Sequence, residues 1–160
     1  MNLKLSSPLS AFAATAIAAI AVASPLSASA RTETCKAASE RDIASLFDRW
    51  NASLQTGDPQ KVVSNYAPKS VLLPTLSNKV RLTADEKADY FEHFLARKPI
   101  GSIDSRSIEV DCNSAVDAGL YTFRFGDSSS VQARYSFTYK WDGKRWAITS
   151  HHSSAMPEKG

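Results

Sequence analysis

The sequence predicts an α+β domain in which three N-terminal helices pack in a curved antiparallel sheet, and three observations carry that prediction. Ile43, Leu46, Phe47, Trp50 and Leu54 recur at helical spacing as one apolar stripe. Thr83-Ala84-Asp85-Glu86 reads as a capping box ahead of a second apolar face made by Tyr90, Phe91, Phe94 and Leu95. From Ile100 onward, segments rich in Val, Tyr, Phe and Thr are separated by Asn113-Ser114, Gly126-Asp127-Ser128 and Asp142-Gly143, which is the texture of four antiparallel strands joined by turns. Helices first and a sheet last place the helices against one face of that sheet.

The first 30 residues predict targeting instead of fold. Lys4 supplies a positive start, Ala11 to Ala23 is free of charge, and Ala28-Ser29-Ala30 is a small-residue cleavage signal before Arg31. The apolar run is too short to cross a bilayer core, which needs about 20 residues. The expectation is a signal peptide over 1–30, a single domain over 31–160, and a periplasmic or secreted mature protein without membrane attachment. In that oxidising compartment Cys35 and Cys112 have one possible pairing. A bridge would close a loop of 77 residues and stabilise the fold by roughly 4 kcal/mol on the chain-entropy account; free thiols are the alternative.

In chain order, Ser39 is the expected cap of a first helix over about 39 to 56, stopped by Gly57. Asp58-Pro59 opens a short second helix that continues through Val62, Val63 and Tyr66 to Pro68. Ser70 to Pro74 and Asn78 to Leu82 read as two short strands before the third helix. In the segment Ala115 to Phe125, Tyr121, Phe123 and Phe125 share one parity while Val116, Ala118 and Leu120 share the other, so both faces are apolar. Helices cover one face, and the other is expected to meet a second subunit. The next strand alternates Val131, Ala133, Tyr135, Phe137 and Tyr139 against Gln132, Arg134, Ser136, Thr138 and Lys140, one apolar and one polar face.

A formal net charge of +3, spread without a basic block, argues against a nucleic-acid partner. No phosphate-binding, dinucleotide or zinc-protease motif and no nucleophile elbow occurs, so no cofactor is expected. His151 and His152 are adjacent on a strand and point to opposite faces, which makes them a poor metal pair, and Asp89 with His93 reads as a solvated helix face.

Gly57-Asp58, the Tyr90-Phe91-Glu92 motif with Leu95, the Trp141-Asp142-Gly143-Lys144 hairpin with Trp146, and the ending His152-Ser153-Ser154 with Pro157 together resemble the association (hub) domain of calcium/calmodulin-dependent protein kinase type II and its free-standing bacterial relatives. These belong to the cone-shaped superfamily of nuclear transport factor two, ketosteroid isomerase and the SnoaL-like cyclases. The resemblance implies a homodimer or larger ring formed through the sheet, and a deep pocket lined by arginines, with no catalytic step. It points to Arg124, Arg134 and His152, with Tyr90, as residues that bind a small organic acid or other anion, because guanidinium groups clamp such groups bidentately. An isomerase or cyclase using the same cavity is the alternative, with Asp117 as base and Tyr121 on the same strand face. A third reading is a pure oligomerisation module.

Overall fold

The computed structural model describes residues 34–75 and 77–158, so the targeting segment expected over 1–30 lies outside the described residues. Helix α1 runs Glu40–Leu54, α2 Pro59–Val63 and α3 Ala84–Leu95; strands run β1 Tyr66–Leu73, β2 Ile100–Val110, β3 Ser114–Arg124, β4 Ser130–Trp141 and β5 Trp146–Ala155. Local chemistry sets the helix starts. Ser39 accepts from Asp42 N at 3.2 Å while the Asp42 carboxylate accepts from Ser39 N at 2.8 Å, and Thr83 and Glu86 repeat the arrangement at α3. Asp58 caps α2 with Pro59 at its first position.

The strands form one sheet in the order β1-β5-β4-β3-β2, antiparallel except where β1 runs parallel to β5. Two expectations are corrected here. Tyr66 does not extend α2 but opens β1, because Tyr66 pairs with Ile148 on β5. Residues 78–82 form no strand; Arg81 makes a single bridge to Leu72.

The helices lie against the inner sheet face over an aromatic core in which Trp50, Phe91, Phe137 and Tyr121 are almost fully buried. Asn51, which begins an Asn-Ala-Ser glycosylation sequence, is a structural clamp: its Oδ1 accepts from Gly101 N and its Nδ2 donates to Gly101 O, both at 2.9 Å. This pins α1 to the start of β2. An extra residue near Asp104 breaks the β2–β3 register, and there the β2 backbone presses so close that a Cβ on Gly119 would stand 2.0 Å from Ser105 O. Such a bulge bends the sheet around its helices. Cys35 and Cys112 are joined in a disulfide, and Lys36 N donates to Cys112 O at 3.1 Å, tying the chain before α1 to the β2–β3 turn. No helix among the described residues is long and apolar enough to cross a membrane.

Candidate functional site

A cavity of about 80 Å³ opens between α3, the end of β1 and the inner face of β3, β4 and β5. Its walls are apolar: Trp50, Leu72, Phe91, Phe94, Phe123 and Phe125. They come together because the inward parity of β3 faces the buried stripes of α1 and α3. The polar lining groups are Tyr90, Thr75, Tyr121, His151 and Ser153, with Arg97 at the rim.

Three hydroxyls form a chain. Tyr121 reaches across β4, where its direct neighbour is the small Ala133, and donates to Ser153 Oγ at 2.6 Å. Ser153 in turn makes a short hydrogen bond with Thr75. Either partner of that last bond can donate, so the chain can present Thr75 as donor or as acceptor. Burial raises the Tyr121 phenol well above its ordinary range, and lifts Tyr90 to about 12, so both stay protonated donors.

His151 stands beside this chain, 4% exposed. Its Nδ1 meets Tyr66 Oη at 2.8 Å, and its ring stacks on Phe137 with centroids 4.0 Å apart and meets Trp50 nearly perpendicularly with centroids 5.3 Å apart. Burial, with a smaller push from His152, depresses its pKa to about 3, so the imidazole is neutral. The buried Nε2 makes no hydrogen bond among the described residues. A buried polar atom left unpaired costs roughly 1–3 kcal/mol, so a ligand that satisfies Nε2 gains by that amount.

The sequence-predicted residues divide between the two faces. Tyr90 and Tyr121 line the cavity. Arg124, Arg134 and His152 do not, which corrects the expected clamp: all three are exposed on the outer sheet face, where Arg134 lies between Leu120 and Ser154 and His152 opposite Ser136. The physical reason is strand parity, and it sends His151 inward in place of His152. Asp117 does lie on the inner face, fully buried, but outside the cavity lining. Its carboxylate accepts from Tyr135 Oη at 2.7 Å and from Arg106 Nη2 at 3.0 Å. Burial raises its pKa, with Tyr135 and Arg106 pulling against that rise. A carboxylate engaged on both oxygens away from the cavity is not placed as a base for a molecule bound there.

Thr75, His151, Ser153 and Arg97 are the site residues that the sequence reasoning missed. The Asp89 carboxylate pairs with Arg81, while His93 Nδ1 hydrogen-bonds the Asp89 backbone carbonyl at 2.9 Å, and no three His, Cys, Asp or Glu side chains gather as a metal would need among the described residues.

Residues 39–157 match the family model of the calcium/calmodulin dependent protein kinase II association domain. A crystal structure from Xanthomonas campestris, described as such an association domain, is 50% identical over 79% of this chain and 98% of its own, with a TM-score of 0.71. A protein of unknown function related to nuclear transport factor two, from Pseudomonas putida, is 18% identical over 78% of this chain and 91% of that one, with a TM-score of 0.67. A cyanobacterial iota-carbonic anhydrase complexed with bicarbonate is 16% identical over 77% of this chain and 95% of that one, with a TM-score of 0.69. These last two show the shared α+β fold. No curated protein matches the chain.

Proposed function

Because the chain belongs to the calcium/calmodulin dependent protein kinase II association domain family, we propose that it is an exported, self-associating domain whose cavity binds a small oxyanion of about the size of bicarbonate. Residues 1–30 are the cleaved signal and 31–160 the functional domain. The family's role as an association domain supports self-association, and the outer sheet face is the surface that suits it. Val116 and Leu73 are 37% and 36% exposed there, with Ala118 between Ser107 and Ser136 and Leu120 between Ser105 and Arg134. The disulfide suits an oxidising compartment.

The observation that carries the ligand reading is the polar end of the cavity: the Tyr121–Ser153–Thr75 hydroxyl chain beside the unpaired Nε2 of a neutral histidine. Hydroxyl donors with a neutral imidazole suit a small group with several oxygens. The volume sets the size, since about 80 Å³ is near half of the roughly 150 Å³ that holds benzene in an engineered cavity. The test is native mass spectrometry of the chain beginning at Arg31, joined to a titration of the His151 ring resonances with bicarbonate. A dimer or larger ring whose His151 signals shift saturably bears the reading out; a monomer, or signals that bicarbonate leaves unmoved, overturns it.

A second reading has its own support. The bicarbonate-bound fold relative is a carbonic anhydrase, and the same hydroxyls are arranged to hydrogen-bond the oxygens of bicarbonate as carbon dioxide and water become bicarbonate and a proton. Oxygen-18 exchange from labelled carbon dioxide tests it. Exchange above the buffer rate that falls in Ser153→Ala and Thr75→Val makes the chain an enzyme; exchange at the buffer rate makes it a binder.

A further inference from the structure

We propose that Arg97 is the residue that gives the cavity its preference for anions over neutral molecules of the same shape, an inference that rests on the binding role given above. Among the described residues, every other side chain lining the cavity is uncharged. The imidazole of His151 belongs with them, because burial keeps it neutral. Any selection by charge must therefore come from the rim, and Arg97 is the rim's cation.

Its position is built. The turn after α3 is nailed to the β3–β4 turn by Gly126 N, which donates to Arg97 O at 2.9 Å. Lys98 takes a φ of 52° to make that corner, with its N donating to Leu95 O at 2.9 Å. The guanidinium is thereby held over Phe125, its carbon 3.6 Å from the ring centroid, and that ring is itself cavity wall. An arginine face stacked on an aromatic ring keeps its N–H edge available for an oxyanion.

Neighbouring charges leave this edge unclaimed by a carboxylate. Arg97 makes no salt bridge among the described residues. Asp127, which feels its charge, has Oδ1 engaged by Ser129 N at 3.0 Å and Ser129 Oγ at 2.6 Å. Arg81, whose guanidinium carbon is 5.8 Å from the Tyr90 ring centroid, is bound by Asp89 instead. A ligand entering with its apolar part against Phe94 and Phe123 thus meets one positive charge, at the mouth. The expected ligands are short carboxylates and bicarbonate-like anions.

Acetate and acetamide, alike in shape and different in charge, are the probes, titrated into the full mature chain and into Arg97→Gln and followed through the aromatic resonances. The expected result is that the substitution weakens acetate about tenfold, the usual worth of a charge-assisted hydrogen bond, and removes its salt dependence while leaving acetamide unchanged. Acetate bound equally by both proteins overturns the inference and leaves the binding role standing. Equal loss of both probes also overturns it, because Arg97 would then only shape the cavity. If neither probe binds the unsubstituted chain, the binding role falls with it.

Discussion

At one end of the sheet's inner face Asp117, Tyr135 and Arg106 close on one another, and at the other Tyr121, Ser153, Thr75 and His151 border open space. Both clusters stand on the same parity of β3, only four residues apart at Asp117 and Tyr121. The first contains full charges, and it is sealed: Asp117 is 0% exposed and its partners sit at 2.7 and 3.0 Å. The second contains hydroxyls and a neutral imidazole, and it tolerates a cavity. A buried charge without its partner costs several kcal/mol, whereas an unpaired hydroxyl or ring nitrogen costs far less. The chemistry available for binding is therefore found where the polarity is weak enough to be left incomplete.

Removing a charge from the sealed cluster gives the largest expected effect. Asp117→Ala leaves Arg106 without its ion-pair partner and Tyr135 without its acceptor. Arg106 is partly exposed, with 26% of its side chain accessible, which lets water relieve some of the loss. A destabilisation of about 3 kcal/mol in urea unfolding is expected, with bicarbonate affinity of the folded fraction unchanged. A neutral result would mean that the pair is already solvated.

The open cluster should respond the other way round. Tyr121→Phe and Ser153→Ala are expected to cost about 1 kcal/mol in unfolding, well below Asp117→Ala, since no charge is stranded and the cavity can admit water to the orphaned hydroxyls, but to weaken bicarbonate about tenfold by taking away a donor. If both variants lose stability as Asp117→Ala does, the contrast between the two clusters fails.

What the sequence made legible follows the range of the interactions. The stripe of α1, the cap at Ser39 and the capping box at Thr83 are local patterns, and they appear as expected. The start of β1 was not legible, because Tyr66 becomes a strand residue only by pairing with Ile148, 82 positions away in the chain. The histidines show the same limit more sharply. Counting inward positions from Trp146 and Ile148 sends His152 to the interior, but β5 carries an extra residue at Thr149 and the count shifts by one. His151 goes in, and Ser153 follows it. Arg97 lies in a turn whose direction depends on contacts with the β3–β4 turn, a relation that no spacing within the helix carries.

The neutral histidine gives a pH-dependent form of the same contrast. The unfolded chain protonates His151 near its ordinary value of 6.5, while the folded chain does not until about 3. Between those values the unfolded state holds the extra proton, so stability falls as pH falls, by about 1 kcal/mol per pH unit from this group. Asp117, with its raised pKa, acts in the opposite direction, since its folded carboxyl keeps a proton to higher pH than the unfolded one. Comparison with His151→Asn isolates the histidine: the variant should lose stability less steeply from pH 6.5 to 3. Parallel curves would show that the ring is protonated in the folded protein.

The smallest expected effect concerns the arginines that the sequence singled out. Arg124 and Arg134 pair with Ser130 and with Leu120 across the sheet, on the face opposite Tyr121 and His151. A sheet is one backbone thick, yet side chains of opposite parity cannot exchange faces without a register slip that would bury Arg134 among the aromatics and expose Tyr135. Their charges reach the cavity only through space and from exposed positions, where salt screens them within about 8 Å at physiological ionic strength. The double substitution Arg124→Ala with Arg134→Ala is expected to change acetate affinity less than twofold, against the tenfold loss in Arg97→Gln. Should it instead disperse the oligomer while acetate still binds, the two guanidinium groups belong to the contact between subunits and the two faces of the sheet have separate tasks. A loss of acetate equal to that of Arg97→Gln would mean that the outer face feeds the cavity after all.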